Sequence, residues 1–573
     1  METNLAADKR LSSGECKTST QGLWCAVIAL VALVALVALV AIVCTRAVRS
    51  ANEHAANESD RAESLADTLL GSPAAAVPFV LEDLRPIQQL ARVRLRHHFD
   101  ASGHNSVERL HAAFGLIEMD HNIEAQLLEE VSTAPESECR NLIQAFSHVN
   151  SSAVIAIAIK SGDSADPAHR ARHAILALHL GDPGPAELML GGNDNPADRT
   201  AFIDTYGKWH GNPDDVADLL LTTANSTFRS QFCIALGTID SAERGRIPKA
   251  LARLYNEASD GGTHSAAVWA LREWNLPIPA VKSMSQLSTE GGWFVNGQGM
   301  TMVGISAGKF VMGTKETAPF DDESPAHPVQ LTHPYFLADR EVTVEQFLRF
   351  LADMNHPLPE KPREWLGISE AISPTGDCPV QMVNWFDAIL YCNWLSLHEG
   401  RQPCYLRIGK QFLKNYKGLD EEHDLWSCDF TTDGYRLPTE AEWEFAARAT
   451  SSASFCFGDG TSQLSHYAWF RSNSGIRTWP GGLKRPDAWG LFDMHGNVAE
   501  WCWDFEGPYS LDSVSDPTGP KTSATHVLRG GAASVGDLGC RCAYRSGHLP
   551  AFRSAWNGFR VCCRSSQNQP TQR

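Results

Sequence analysis

The sequence predicts a multi-domain protein in which an N-terminal transmembrane helix precedes an all-α region of HEAT-like helical repeats and a C-terminal mixed α/β domain. Three observations predict this order. The 573 residues exceed the length of one ordinary domain. Residues 23–44 contain no charged side chain. Between residues 61 and 285 apolar side chains recur at helical spacing, whereas from about residue 295 short strands, turns, tryptophan and glycine dominate.

The composition is that of globular material, with 43% hydrophobic and 20% charged residues. The net charge of −18 repels phosphate groups, so we expect no nucleic-acid partner. Most of the 15 cysteines lie in the C-terminal half of the chain. This concentration predicts either disulfides in an oxidising compartment or a thiol site, and the sequence alone does not give the pairing.

The uncharged run from Leu23 to Cys44 is long enough to cross a hydrocarbon core of about 30 Å as a helix. It is apolar on every face, which an amphipathic surface helix is not. A cleaved signal peptide is the alternative. However, a polar tail of residues 1–22 precedes the run, and the apolar core is long for a signal peptide. We therefore expect a retained single-pass membrane anchor.

The orientation of this anchor is less clear from the sequence, because basic residues flank the run on both sides. The cysteine-rich C-terminal half favours an N-terminus on the inside and the bulk of the chain on the periplasmic or extracellular side. Residues 45–60 are predicted as a linker to the helical region.

The region 61–285 is predicted to be almost wholly helical. Three of its segments resemble one another, beginning at His169, Phe228 and His264. Each has an apolar face that it cannot bury alone, so a HEAT-like solenoid of stacked units is predicted. Such a solenoid either binds a protein or peptide or acts as a spacer, and the sequence leaves both open.

His169 and His173 lie four residues apart, which places two imidazoles on one helical face at a spacing typical of metal ligands. A mononuclear iron or zinc site needs a third donor, and Ile175 stands where a carboxylate would complete the set. The pattern therefore favours an ordinary solvated repeat helix over a metal site.

A boundary between Pro277 and Gly299 separates the helices from a region of strands, turns and short helices. Two of these helices begin at capping boxes, Thr343 with Gln346 and Thr439 with Glu442. The segments that carry the pattern are FLADREVTVEQFLRF from Phe336, PVQMVNWFDAILYCNWLS from Pro379, YRLPTEAEWEFAARA from Tyr435, PDAWGLFDMHGNVAEWCWD from Pro486, and then VLRGG, CRCAYR and NGFRV.

In this order the segments resemble the formylglycine-generating enzyme, or sulfatase-modifying factor, family over residues 295–565, leaving a tail of residues 566–573. The resemblance implies a mixed α/β fold related to C-type lectin-like domains. It also implies oxidation of a cysteine in nascent sulfatases to formylglycine with O2 and copper, although relatives on one fold do different work.

The resemblance further implies a structural calcium site between Asp493 and Glu500. The ligands would be the two carboxylates of Asp493 and Glu500 and the carbonyls of Gly496 and Val498. Carboxylate and carbonyl oxygens suit a hard cation such as Ca²⁺. A turn held by hydrogen bonds without metal is the alternative.

The implied copper site is incomplete. The family holds Cu(I) between two cysteines after its RGG segment, and thiolates suit that ion. Counted forward from Gly531 the two positions are Val535 and Cys540; counted back from Cys542 they are Ala532 and Asp537. Either way the first thiol is missing.

Other roles remain open for the cysteines. Cys540 and Cys542 are weak candidates for a catalytic or copper-binding pair, because in a strand they would point the same way, although a structural role is favoured. A Cys404–Cys428 disulfide is one alternative. The resemblance implies another, between Cys392 and a cysteine after the GFR segment, where this chain has Cys562 and Cys563.

Three functions follow, in order of preference. The first is a membrane-anchored binding or scaffold protein that keeps the family fold and calcium without its oxidation chemistry, and that binds a peptide, glycan or protein. The second is an active formylglycine-generating oxidase with Cys540 as its remaining thiol. The third is an ergothioneine-type iron sulfoxide synthase, which would need two histidines and a carboxylate in the helical region.

Overall fold

The structure is a computed structural model of the whole chain. It describes residues 19–104, 106–149, 151–191, 196–239, 244–281, 292–315, 321–353, 365, 367–414 and 419–564. Most of the predicted tail 1–22, the tail 566–573 and much of the predicted boundary segment lie outside the described residues. The contacts divide the chain into two compact units, Met1–Ile123 and Glu124–Arg573.

The first unit is built around one long helix, α1, which covers Ser19–Gly71. At 1.5 Å per residue its 53 residues extend about 80 Å. In the described part of the chain it is the one helix long and apolar enough to cross a membrane. Three shorter helices follow it: α2 (Val77–Leu84), α3 (Gln88–Ala101) and α4 (Val107–Leu116).

The apolar run of α1 is fully exposed, whereas Ala62, Ala66 and Leu69 near its end are buried. This later part of α1 packs against α2, α3 and α4. The segment 45–60, predicted as a linker, is helical throughout, because nothing in it breaks the helix that begins in the apolar run.

The second unit begins with further helices, which confirms the all-helical character of the N-terminal half. They are α5 (His121–Glu130), α6 (Cys139–Ser147), α7 (Ser151–Asp163), α8 (Pro167–His179), α9 (Gly184–Leu190), α10 (Ala197–Tyr206), α11 (Ala217–Thr222), α12 (Ser226–Gly237), α13 (Ile247–Glu257) and α14 (Gly261–Glu273).

The three segments predicted to resemble one another are α8, α12 and α14. Each is capped by a polar side chain, from Asp166, Asn225 and Asp260 respectively. Helix α8 packs against α7 and α10, and α12 packs against α14. Each of the three therefore packs on a neighbouring helix of the second unit.

The C-terminal domain is a mixed α/β fold, as predicted. Its helices are α15 (Val344–Ala352), α16 (Trp385–His398), α17 (Glu440–Arg448) and α18 (Leu464–Tyr467). Its strands are β1 (Trp293–Val295), β2 (Thr301–Ile305), β3 (Gly308–Met312), β4 (His327–Leu331), β5 (Tyr335–Ala338), β6 (Tyr405–Lys414), β7 (Asp420–Cys428), β8 (Tyr435–Arg436), β9 (Ala468–Trp469), β10 (His495–Gly496), β11 (Ala499–Phe505), β12 (Val514–Ser515), β13 (His526–Arg529), β14 (Arg545–His548), β15 (Asn557–Gly558) and β16 (Cys562–Arg564).

These strands form small sheets, the largest in the order β1-β2-β5-β16-β8. A second sheet has the order β14-β13-β11-β15, and a third has the order β12-β4-β3. Both predicted capping boxes are present, at Thr343 for α15 and Thr439 for α17. A third, formed by Asn384 and Asp387, begins α16. Helices α15 and α16 bury their apolar side chains in one cluster, and α17 buries its own in another.

Helix α17 and strand β13 are joined by buried ion pairs. Arg529 of the RGG segment is fully buried and pairs with Glu440 and Glu444 of α17. Its guanidinium also donates to the carbonyls of Cys542 and Tyr544, at 2.9 and 2.8 Å. Because a buried charge without partners is costly, this arginine fixes where the helix meets the sheet.

Within the second unit the helices pack directly on the C-terminal domain. From α10, Arg199 and Thr200 donate to the carbonyls of Cys456 and Phe457, at 2.6 and 2.8 Å. At the start of α14, Gly261 lies so close to β2 that a Cβ there would meet the Val303 side chain at 2.7 Å. The later helices and the C-terminal domain therefore share one compact unit.

Candidate functional site

Buried acids gather where β5 ends and where the loop before β11 turns. Asp339 and Glu341 follow β5 directly, Asp493 lies in the loop, and Glu500 is on β11. All four are almost fully buried. Glu341, Asp493 and Glu500 are close enough to influence one another electrostatically, and Glu341 is a neighbour that sequence reasoning missed, although no three acids in the described part of the chain are arranged to hold a metal ion.

The loop itself is tightly wound. Asp493, Gly496 and Asn497 all have positive φ, at 54°, 86° and 59°. A Cβ at Gly496 would lie 2.2 Å from the carbonyl oxygen of Trp469, so only glycine fits there. These turns place Gly496 and Val498 between the two acids in the chain, both of them buried.

Two of the acids have arginine partners. Glu500 accepts from Arg560 at 2.6 and 2.7 Å and from the Trp443 indole at 2.8 Å. Asp339 accepts from Arg340 at 2.6 Å. The arginine of the NGFRV segment is thus a partner of the site, which the sequence pattern did not reveal.

The other two acids form no ion pair with any described residue. Asp493 accepts one hydrogen bond from the Gly482 backbone at 2.8 Å, and its other oxygen is buried without a hydrogen-bond partner among the described residues. Both carboxylate oxygens of Glu341 are buried in the same way. The cluster therefore holds two buried carboxyl groups that are not ion-paired in the described part of the chain.

This environment raises the pKa of both Glu341 and Asp493. Burial raises the pKa of Glu341 well above its usual value, and the charges of Asp493 and Glu500 raise it further. Burial also raises the pKa of Asp493 to about 6, against the opposing hydrogen bond from Gly482. The donor chemistry fits a hard cation bound by oxygen ligands.

The two candidate catalytic cysteines are not a pair. Cys540 ends a short 3₁₀ helix, Asp537–Cys540, and is buried among Phe455, Cys456 and Phe457. Cys542 lies in the other cluster, against the Ala447 carbonyl of α17. The expectation that the two thiols point the same way is wrong because the backbone between them is not a strand.

The burial of both thiols also makes them poorly reactive. Burial raises the pKa of Cys540 to about 12, and burial likewise raises the pKa of Cys542 to about 12. A thiol that stays protonated at neutral pH is a poor nucleophile. Val535 packs against the cluster that contains Cys540, so both positions counted forward from Gly531 lie at the same cluster.

The remaining copper positions hold no sulfur. Ala532 is buried, and the Asp537 carboxylate accepts from the Leu538 backbone at 2.9 Å. All the described cysteines are unpaired, including Cys392, Cys404, Cys428, Cys562 and Cys563, so neither of the disulfides considered from the sequence is present.

The His169–His173 pair forms no metal site in the structure. The imidazole nitrogens of His173 face the carbonyls of His169 and Leu128, at 2.9 and 3.4 Å. In the described part of the chain no group of three or more His, Cys, Asp or Glu side chains is arranged to hold a metal ion.

The C-terminal domain combines a mixed α/β fold, a buried arginine in its RGG segment and a cluster of buried acids, and its sequence matches a known family of proteins. Residues 294–565 match the family described as "Sulfatase-modifying factor enzyme 1-like domain". The formylglycine-generating enzyme of Streptomyces coelicolor is 30% identical over 284 residues, which are 45% of this chain and 87% of that enzyme. The chain therefore belongs to the sulfatase-modifying factor family.

Relatives with other names are also similar. "Chaperone protein LppX" of Paenibacillus barcinonensis is 28% identical over 260 residues, covering 41% of this chain and 82% of that protein. Among solved structures, "Treponema denticola variable protein 1" is 32% identical with a TM-score of 0.38, over 46% of this chain and 95% of that one.

Proposed function

We propose that this chain is a membrane-anchored binding or scaffold protein whose sulfatase-modifying factor domain does not carry out copper-dependent oxidation. One observation carries the proposal: Val535 or Ala532 stands at the first thiol position, and the remaining candidates Cys540 and Cys542 are buried in separate apolar clusters. Two thiolates in one site are what Cu(I) needs.

The membrane part of the proposal is supported by α1, whose apolar run is exposed on every face. An exposed run of this length is costly in water and stable in a bilayer. The proposed location of the bulk is the periplasmic or extracellular side. A removed signal peptide is the competing explanation for the same run.

A structural Ca²⁺ ion is part of the same proposal. Asp493, Glu500 and the carbonyls of Gly496 and Val498 would hold it, with Glu341 supplying charge beside them. The two buried carboxyl groups without an ion pair support this, since a divalent cation would neutralise both. The ion would brace the loop before β11 rather than take part in chemistry.

The helical half is proposed to be a HEAT-like stack that binds a protein or peptide. The packing of α8 on α10, of α10 on α12 and of α12 on α14 supports it. Solenoids present extended surfaces of the kind that bind polypeptide chains.

An active formylglycine-generating oxidase is the second candidate, because an enzyme of that name is 30% identical over most of its length. It would depend on Cys540 as the remaining thiol. The iron sulfoxide synthase has no comparable support, since His173 faces backbone carbonyls.

The decisive experiment incubates the full-length protein in detergent with Cu(I), O2 and a cysteine-containing sulfatase peptide, followed by mass spectrometry. We expect no formylglycine from this chain while the Streptomyces coelicolor enzyme forms it. Product that is lost on Cys540→Ser but kept on Cys542→Ser would overturn the proposal.

A gain-of-function variant sharpens the test. Because Val535 and Cys540 share one cluster, Val535→Cys restores a thiol pair there. We expect this variant to bind Cu(I), measured with a competing chromophoric chelator, and the parent chain not to bind it. Val535→Ser is the control, since it changes the same position without adding a thiol. Equal binding by all three chains would show that the missing thiol does not explain the lost chemistry.

A further inference from the structure

A cavity of about 370 Å³ lies within the second unit, between the ends of α13 and α14 and the loops of the C-terminal domain. Tyr255 and Arg272 line it from the two helices, and Gln298, Asp377 and Pro480 line it from the domain. The volume is in the range of about 300–1,000 Å³ that small-molecule sites occupy. The cavity therefore has room for an organic ligand and not only for an ion.

Most of the charged side chains that line this cavity already have partners. Asp339 forms an ion pair with Arg340 at 2.6 Å, and Glu345 forms one with Arg349 at 2.7 Å. Glu341 belongs to the buried acid cluster, where burial raises its pKa well above the usual value. Among the described residues of the lining, one cation and one anion remain.

The remaining cation is Arg272. Its guanidinium donates to the Gly482 carbonyl at 3.1 Å, and no carboxylate in the described part of the chain forms an ion pair with it. Burial and then the charge of the neighbouring Arg340 lower the pKa of Arg272 to about 10. A guanidinium carries further N–H donors in the same plane, and this geometry matches a carboxylate.

The remaining anion is Asp377, which is exposed. Its carboxylate accepts from the Thr375 hydroxyl at 2.5 Å and forms no ion pair with a described residue. The backbones of both charged residues adjoin one turn, because the Gly481 amide donates to the Asp377 carbonyl at 3.5 Å and the Gly482 carbonyl accepts from Arg272. The cavity thus presents one unpaired charge of each sign beside this turn.

We propose that this cavity binds a free amino acid, with the α-carboxylate of the ligand on Arg272 and its ammonium on Asp377. A zwitterion supplies one charge of each sign, whereas a simple anion or a simple cation would satisfy only one of the two side chains. A guanidinium takes a carboxylate through two parallel hydrogen bonds, so the contact with Arg272 also orients the ligand. Because Arg272 is on α14 and Asp377 belongs to the C-terminal domain, the ligand would link the two.

Calorimetric titration of the full-length protein in detergent at about pH 7 tests this, with each of the standard amino acids in turn. We expect at least one of them to bind. Its N-acetyl derivative lacks the ammonium and its α-amide lacks the carboxylate, so each should bind about tenfold or more weakly. Failure of every amino acid to bind at about 10 mM, or equal binding by both derivatives, would overturn the proposal.

Variants then locate the site. We expect Arg272→Gln and Asp377→Asn each to weaken binding about tenfold or more. In Asp377→Asn the amino acid and its N-acetyl derivative should bind alike, because the contact that distinguishes them is gone. Arg253→Gln and Glu257→Gln are the matched controls, since both side chains are exposed on α13 and lie outside the cavity.

The exposed position of Asp377 keeps the test decisive if Arg272→Gln does not fold. Asp377→Asn should melt as the parent chain does in the absence of ligand. Parental affinity in this variant, or a preference for the free amino acid over its N-acetyl derivative that persists in it, would contradict the assigned site.

Discussion

Glu341 and Asp493 have the clearest energetic consequences among single residues. Their unpartnered oxygens are buried, so in the absence of a cation the folded state favours their protonated forms. The folded pKa of Asp493, about 6, lies above the value of about 4 for an exposed aspartate. The folded state then binds more protons than the unfolded state between these pH values.

For the calcium-free protein, we expect stability to fall as the pH rises from about 4 through 6, because the raised pKa makes ionisation of Asp493 unfavourable. Calcium should remove this loss by compensating both carboxylates. The melting temperature in EDTA and in CaCl2, measured at several pH values, tests both expectations.

One substitution gives opposite signs in the two conditions of the same measurement. Glu341→Gln should stabilise the calcium-free protein at neutral pH and reduce the stabilisation that calcium confers. Glu345→Gln is the control, because its carboxylate is exposed and pairs with Arg349 on the surface. A melting temperature that does not respond to calcium in the parent chain would contradict the proposed site.

At the scale of elements, the contact between α17 and β13 depends on one arginine. We expect Arg529→Ala to destabilise the second unit by about 3–5 kcal/mol, because it leaves buried carboxylates of α17 short of a partner. Urea unfolding monitored by tryptophan fluorescence measures this change.

The control is Arg253→Ala on α13, which removes an exposed pair with Glu257. Exposed pairs of this kind are screened by water and contribute little, so this variant should unfold nearly as the parent does. If the two arginine variants had similar effects, the buried pairs would not be what joins the helix to the sheet.

Local signals in the sequence were sufficient for most elements. The hydroxyl of Thr343 or Thr439 and the partner three residues later determine where a helix begins, and both starts are confirmed. The segments from His169, Phe228 and His264 are helices for a similar reason, since their apolar spacing is local.

The candidate site was predicted only in part. Asp493 and Glu500 lie in one recognisable segment, whereas the end of β5 that carries Glu341 is joined to it by contacts distant in the chain, from the Phe492 backbone to Asp339 and from Arg560 to Ala338 and Glu500. The separation of Cys540 from Cys542 depends on a 3₁₀ turn that alternation along a strand does not anticipate. Predicting either the place of Glu341 or the separation of the two cysteines requires knowing which residues are buried and which distant residues they contact.

At the scale of the whole molecule, the prediction concerns whether α1 holds the protein in a membrane. We expect the full-length chain to stay with membranes after carbonate extraction and to be released only by detergent, because the exposed run 23–44 is stable in lipid. Immunoblotting of the fractions against the C-terminal domain measures this.

A chain lacking residues 1–44 serves as the control and should appear in the soluble fraction. If the full-length chain were found soluble with a mature N-terminus beyond Cys44, the run would be a signal peptide and the anchor would be wrong. N-terminal sequencing of the recovered protein distinguishes a retained anchor from a removed signal peptide.

The continuity of α1 fixes an angular relation as well as a distance. From Cys44 to the first buried alanine, Ala62, the helix rises about 27 Å without a break. Each residue inserted in this stretch would turn the packed face by about 100° relative to the apolar run and lift it about 1.5 Å. Seven inserted residues would lift it about 10 Å and nearly restore its direction. The unbroken helix α1 therefore fixes the rotational orientation of the packed face of the first unit relative to the apolar run.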